Sequence, residues 1–237
     1  MSALGGKTAV VTGASRGIGA GIAAALSASG ARVALIARNP STLKDRASEI
    51  KGSIPISADV TDPRSVEKAT ETVRSELGVP DIIVNNAGIF SVAVVEETSA
   101  EQFANMLNTN LVAPFLFVRA FLGDMKKRGS GHIVTIGSIA DRTIFSGNVA
   151  YSAAKFGLRA VHEVLRTELR GTGVRTSLIS PAATNTDIWT DVTVTDPVNR
   201  PHSKRPMLEP ANVVSAVMFA LSQPATVNID ELRLSHS

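Results

Sequence analysis

The sequence predicts an α/β fold: a doubly wound parallel sheet of seven strands with helices on both faces, in one domain spanning residues 1–237. Three observations carry the prediction. Seven short apolar runs alternate along the chain with longer stretches of helical period, the pattern of strands joined by helical crossovers. The runs are apolar almost throughout, as strands covered on both sides are. And 237 residues with 44% hydrophobic content are enough to bury a sizeable undivided core.

Taken in order, the first strand is expected at residues 9–11, where Ala9, Val10 and Val11 stand together, and the first helix at 17–29, where Ile22, Ala23, Ala25 and Leu26 recur with helical period. Strand and helix then follow at 33–37 and 42–51, 54–57 and 63–77, 82–84 and 101–127, and 132–136 and 149–171. The sixth strand is expected at 176–179, a helix at 210–222 and the last strand at 231–234. Between the sixth strand and that helix, residues 182–209 are polar, contain Pro197, Pro201 and Pro206, and hold no sustained period. A loop of that length in a compact domain is characteristically a lid or disordered, and this segment is expected to cover a substrate. Trp189 within it can serve as a substrate wall or as an anchor against the body. Neither internal repeats nor a linker interrupts the alternation.

Composition narrows the function classes. Cysteine is absent, which excludes disulfides and cysteine-based metal sites. His132, His162, His202 and His236 show no ligand spacing, so no metal is expected. Net charge is +3 from 24 basic and 21 acidic residues, and the basic residues are dispersed. Lys126-Lys127-Arg128 reads as a solvated helix end, where cations suit the dipole. With no basic patch interleaved with aromatics, nucleic acid is not an expected partner. The amino terminus lacks a charged-then-apolar signal, and no uninterrupted apolar run approaches the ~18 residues of a membrane span. A soluble cytoplasmic protein with no membrane partner is the expectation.

Two stretches carry chemistry. Residues 7–19 run from an apolar strand into Gly13-Ala14-Ser15-Arg16-Gly17-Ile18-Gly19 and then a helix, the context that a dinucleotide fingerprint requires. Gly13 permits the turn, Gly17 lets the backbone approach a pyrophosphate, and Gly19 allows close packing of helix on strand. Phosphates would sit on the helix N-terminus, where free N–H groups favour anions. The second stretch holds the only tyrosine, Tyr151, four residues before Lys155. On a helix the two share a face. A neighbouring cation favours the phenolate and lowers its pKa, which fits the pair for proton transfer at neutrality; a half-buried tyrosine beside a solvated lysine is the alternative.

Thr12-Gly-x-x-x-Gly-x-Gly19, Asn85-Asn86-Ala87-Gly88, Gly137-Ser138 and Tyr151-x-x-x-Lys155 together resemble the short-chain dehydrogenase/reductase family, in its order and spacing, with Ser138 thirteen residues before Tyr151. The resemblance runs from about Lys7 to Leu234. It implies a Rossmann-type fold and a catalytic group of Asn110, Ser138, Tyr151 and Lys155. Ser138 would hydrogen-bond a substrate carbonyl, Tyr151 would exchange the proton, and Lys155 would lower the tyrosine pKa and bind the nicotinamide ribose. Asn110 matches a water-relay asparagine, although it can equally be a polar group satisfying backbone inside a helix. On the cofactor side the resemblance implies Gly13, Ser15, Arg16, Gly17, Ile18 and Gly19 of the glycine loop. Asn86, Ala87 and Gly88 would flank the adenosine ribose and hold the sheet. Asp59 and Val60 match an adenine-contacting pair, with Asp59 alternatively capping the helix near Pro63. Pro181 and Thr186 match a nicotinamide-contacting segment in which Ala182 replaces the usual glycine, so the local backbone can differ.

The cofactor follows from charge. An NAD-type site carries a carboxylate about 20 residues beyond the glycines, to bond the ribose 2′-hydroxyl. Here the second strand ends at Arg38-Asn39, and Arg16 stands in the loop. Guanidinium groups pair with a 2′-phosphate, and in the family basic residues at these positions accompany NADP. The implied activity is an NADP(H)-dependent carbonyl reductase or alcohol dehydrogenase acting on a small carbonyl or alcohol substrate. The alternatives are an NAD-dependent sugar or polyol dehydrogenase and a nucleotide-sensing protein without turnover. Phe115, Phe117, Phe121, Phe156, Leu158 and Val161 on the two long helices exceed what one sheet face can cover, and family members pair these helices. A homodimer or homotetramer is expected.

Overall fold

Side chains of a strand alternate between its two faces, so an all-apolar strand needs cover on both. In β1 (Thr8–Thr12) Ala9 and Val11 enter one core and Val10 the other, all fully buried. The computed structural model, which describes residues 4–190 and 206–237, repeats this division across the sheet. β1 leads into α1 (Gly17–Ala28), β2 (Arg32–Ala37), α2 (Pro40–Glu49), β3 (Ser53–Ser57), α3 (Pro63–Leu77) and β4 (Ile82–Asn85). The chain continues through α4 (Ala100–Leu107), α5 (Ala113–Arg128), β5 (Gly131–Ile136), α6 (Val149–Glu168), β6 (Val174–Pro181), α7 (Pro210–Ser222) and β7 (Glu231–Leu234). The strands form one parallel seven-stranded sheet in the order β3-β2-β1-β4-β5-β6-β7. Ile22 and Leu26 of α1, Leu43 of α2 and Val213 and Val217 of α7 cover one face. Val66 and Val73 of α3, Phe117, Phe121 and Met125 of α5 and Leu165 of α6 cover the other. Pro55 lies in β3 at the sheet's edge, where its missing N–H costs no ladder bond.

The sheet winds outward in two directions from the adjacent β1 and β4, and ligand sites of such sheets lie beyond the strand ends at that reversal. Three local departures from the expected pattern shape this region. α2 starts at Pro40 because Asn39 caps it, its Oδ1 accepting from the N–H groups of Ser41 and Thr42 at 3.0 and 3.1 Å. The cap of α3 is Asp62, which accepts from Arg64 N–H at 3.0 Å; Asp59 is not that cap. The single helix expected at 101–127 is interrupted by a π-turn, Asn108–Val112, between α4 and α5. Pro114 has no N–H to give a carbonyl of the preceding turn, and widened turns of this kind often mark functional sites. The continuous helical stretch Ala100–Arg128 is long and apolar enough by length and composition to cross a membrane, which run-length in the sequence did not suggest. Here it packs on the sheet through Phe117, Phe121 and Met125.

The outer surface of the long helices also corrects an expectation. Phe117, Phe121 and Leu158 are buried core residues, and Val161 packs against the same core. Phe115 and Phe156 do reach the surface, joined there by Val112 and Val164.

Candidate active site

A cleft of about 620 Å³ opens over the carboxyl ends of the strands, within the usual range for small-ligand sites. It gathers Gly13, Ser15, Arg16, Gly17 and Ile18 from the β1–α1 turn, Arg38 after β2, Asp59 and Val60 after β3, and Asn86, Ala87 and Gly88 after β4. Asn110, Ser138, Tyr151, Lys155, Pro181 and Thr186 line it too. Of the expected site residues only Gly19 lies outside the lining.

The β1–α1 turn is held by a polar clamp. Thr12 Oγ1 accepts from the N–H groups of Asn86 and Ala87, both at 3.0 Å, and Asn86 Nδ2 donates to the carbonyls of Thr12 and Gly13 at 2.9 and 3.2 Å. Gly13 and Gly17 have φ of +66° and +57°, which makes the turn tight. Gly19 faces this clamp: a Cβ there would stand 2.3 Å from Gly13 O and 2.4 Å from Asn86 Nδ2. Its partner is thus the turn itself and Asn86, a contact that helix-on-strand packing alone does not anticipate. The first helical bond of α1 is Ala20 N–H to Arg16 O, so the N–H groups before it point along the helix axis into the cleft. Across the cleft, Thr186 lies 3.5 Å from where a Gly17 Cβ would be.

Arg16 reaches Asp187 at 3.9 Å with both side chains largely exposed, a weak tie between the glycine turn and the segment after β6. Asp59 Oδ1 accepts from Thr61 N–H at 2.9 Å and Thr61 Oγ1 at 2.7 Å. Those bonds, with help from the nearby Arg38 guanidinium, hold its carboxyl below the usual range.

Ser138, Tyr151 and Lys155 converge at the other end. Ser138 Oγ accepts from Ala140 N–H at 3.1 Å, which fixes the hydroxyl and leaves its proton to donate. Lys155, buried, donates from Nζ to Ile136 O at 3.0 Å and sits 5.6 Å from the Tyr151 ring centroid. Its ammonium therefore lies over the Tyr151 ring, a cation–π arrangement. This changes the expected electrostatics. Surrounding protein pushes the Tyr151 phenol above its ordinary value, against the pull of a hydrogen bond from Ser138 and with added push from Asp141. Lys155 is brought down to about 8, by burial first and with Asp141 opposing. Burial is thus the largest influence on the phenol here, because a desolvated group favours its neutral form.

Asn110 is fully buried in the π-turn, its Oδ1 accepting from Ile89 N–H and its Nδ2 donating to Ile89 O, both at 2.9 Å. The side chain thus fastens the loop after β4 to the helix.

Sequence reasoning missed Phe90, whose ring stands edge-on to both Tyr151 (4.8 Å between centroids) and Trp189 (4.9 Å). Its only signal was an aromatic two residues past Gly88. Trp189 lines the cleft, packs edge-on to Phe90 of the body, and donates from Nε1–H to Thr184 O of its own segment at 2.8 Å. The base of the expected lid is pinned by Leu208 N–H to Ala183 O and Asn185 N–H to Leu208 O, at 2.9 and 2.8 Å. Pro197 and Pro201 fall in residues 191–205, outside the described residues. Ala182 needs no special backbone, since among the described residues every positive φ belongs to glycine.

A family model for short chain dehydrogenases matches residues 7–196. The chain is 34% identical over 229 residues to an uncharacterized oxidoreductase of Staphylococcus epidermidis, covering 96% of each. It is 35% identical over 236 residues to the glycine betaine reductase of Emericella nidulans, covering 97% of this chain and spanning only 18% of that protein's length. Among solved structures, an alcohol dehydrogenase from the archaeon Thermococcus sibiricus, complexed with 5-hydroxy-NADP, matches with a TM-score of 0.85 at 30% identity, over 96% of this chain and 95% of that one.

Proposed function

The chain belongs to the short-chain dehydrogenase/reductase family, and from that premise we propose that it interconverts a small carbonyl compound and its alcohol with NADP(H). The observation that carries this reading is the meeting of Ser138, Tyr151 and Lys155 in the same cleft as the glycine turn and two guanidinium groups. The residues fit a dinucleotide. The turn would be filled by a Cβ at Gly19, the α1 N–H groups face the cleft, and Arg16 and Arg38 line it where an NAD-type site would hold a carboxylate. Arg16 and Arg38 would hold the 2′-phosphate, Asp59 and Val60 the adenine, Ser15, Ile18, Asn86, Ala87 and Gly88 the adenosine and phosphates, and Lys155, Pro181 and Thr186 the nicotinamide end. Bound there, the dinucleotide supplies or accepts the hydride.

The protein's own part is proton transfer and positioning. Ser138 donates a hydrogen bond to the substrate oxygen and orients it toward the phenol. Tyr151 gives that oxygen its proton as negative charge develops, and takes one in the reverse direction. Lys155 is cationic through most of the neutral range, with its value at about 8, and balances the charge left on the phenolate. The substrate end is apolar and aromatic, formed by Phe90, Phe145, Trp189 and Val92, with Asn105 and Asn148 as neutral polar groups. This favours an uncharged carbonyl compound bearing an apolar substituent. An NAD-dependent sugar or polyol dehydrogenase is disfavoured by Arg38 at the tip of β2.

We also propose a cytoplasmic homodimer or homotetramer joined through the exposed Val112, Phe115, Phe156 and Val164 surface; a monomeric mass in light scattering, or recovery outside the cytoplasmic fraction, would contradict it. The test of function is a screen of apolar ketones and aldehydes with both reduced nucleotides, followed by Tyr151→Phe on any substrate found. Turnover is expected to fall by roughly 10²–10⁴-fold with nucleotide affinity nearly intact. Full activity in Tyr151→Phe would end the mechanism.

A further inference from the structure

Three residues past Ser138 stands Asp141, a carboxylate that does not line the cleft and is 1% exposed. Its Oδ2 accepts from Ser180 Oγ at 2.5 Å, and its Oδ1 accepts from Arg142 Nε at 2.7 Å. Arg142 in turn pairs with Glu231 of β7. Asp141 N–H donates to Ser138 O at 3.0 Å, tying the carboxylate's own backbone to the catalytic serine. A Cβ on Gly137 would stand 2.7 Å from Ser180 Oγ and 3.1 Å from Asp141 Oδ2. The carboxylate is therefore pressed against the residue between Ile136, whose carbonyl receives Lys155, and Ser138 itself. The charged groups around it are Arg142 on its own segment, Glu231 from β7 through Arg142, and, within reach of its charge on α6, Lys155 with the titratable Tyr151. Asp141, Arg142 and Glu231 together leave one negative charge behind the reaction centre.

We propose that Asp141 is a positioning residue of this centre: its carboxylate keeps the proton on Tyr151 and the charge on Lys155, poising the enzyme for carbonyl reduction over alcohol oxidation near neutral pH. The proposal rests on the reading of Tyr151 as the proton carrier. In reduction the carbonyl carbon would receive a hydride from the reduced nicotinamide of the proposed function, its π pair would move to oxygen, and that oxygen would take the phenolic proton; solvent would then reprotonate the phenolate. Oxidation begins instead from the phenolate, which a nearby anion disfavours. Burial is the larger influence on both groups, and Asp141 acts upward on each.

Because Tyr151 is the only tyrosine, phenolate absorbance against pH reads its ionisation directly, with circular dichroism marking the folded range. Asp141→Asn is expected to lower the midpoint by about one pH unit, and Arg142→Gln, which removes the cation offsetting Asp141, to raise it by a similar amount. Asp141→Glu should keep the unmodified midpoint. The alkaline limb of the reduction rate should move with each titration. A merely structural role for Asp141 does not produce shifts of opposite sign. If Asp141→Asn fails to fold, Arg142→Gln decides: a raised midpoint supports the proposal, and an unmoved or lowered one overturns it. Unmoved midpoints in both folded variants, or movement in the same direction, likewise overturn it. The titration reads the phenol whether or not it serves turnover, so an active Tyr151→Phe enzyme would refute the mechanism above and leave this measurement interpretable.

Discussion

Gly19→Ala tests the architecture that the nucleotide site depends on. The added methyl would stand 2.3 Å from Gly13 O and 2.4 Å from Asn86 Nδ2, well inside any real contact. Neither atom can retreat alone. Asn86 Nδ2 is already bonded to the carbonyls of Thr12 and Gly13, and the Thr12 hydroxyl holds the N–H groups of Asn86 and Ala87. Relief requires either losing a bond of this clamp, at about 1–3 kcal/mol, or moving α1 off the turn, with an overpacking cost of similar size. We expect a destabilisation of about 1–3 kcal/mol, a Tm lower by roughly 2–12 °C for a chain of this size. Nucleotide affinity should fall with it, because the displaced atoms are the turn and the first N–H groups of α1. Gly123→Ala in α5 is the matched control: nothing lies within 4 Å of its Cβ, and replacing a helical glycine should add about 0.5–1 kcal/mol. Thermal unfolding gives the stability of both variants, and fluorescence titration with NADPH at 20 °C gives the affinity of the folded fraction. A Gly19→Ala protein that melts and binds NADPH like the unmodified one would refute the clamp.

Two further outcomes are expected. Arg38→Asp should weaken NADPH by about 1–3 kcal/mol, roughly 5- to 150-fold in Kd, while NADH is spared; equal Kd values for the two nucleotides in the unmodified protein would refute the cofactor reading. His132 is 2% exposed, and burial, seconded by Arg175, brings its pKa from 6.5 to about 3. The unfolded chain takes up a proton below pH 6.5 that the folded ring refuses, so stability should decline as pH falls through that window, by about 2 kcal/mol at about pH 5. His162, also lowered chiefly by burial, adds in the same direction. Urea midpoints measured between about pH 5 and pH 7 check this, and a flat profile that His132→Gln leaves unchanged would contradict it.

The fold was legible because it is written in short-range patterns. Apolar β-branched runs, helical periods and a glycine cluster between them depend on neighbours in sequence, and the strands at 231–234 and helices at 63–77 and 210–222 fall where the pattern puts them. The π-turn at Asn108–Val112 was not legible, since Pro114 permits but does not compel a widened turn; packing of Asn110 on Ile89 selects it. Nor could helical period separate the buried Phe117 from the exposed Phe115, because which side meets the sheet is decided by strand order.

The candidate site divides along the same line. Sequence alone determined which residue types could do this chemistry: one phenol four residues from a lysine, a serine after the fifth strand, glycines after the first, and arginines where an acidic residue would favour the other nucleotide. Tertiary structure alone decided their electrostatics. Where the Lys155 ammonium stands over the Tyr151 ring, and how strongly burial acts on both, depends on the packing of α6 against the end of β5 and the loop that follows it. Asp141, Arg142 and Glu231 lie as far apart as 90 residues, and they share one buried network only because β7 comes to rest beside β6. Desolvation and charge act through space, and distance in space is what a linear sequence does not hold.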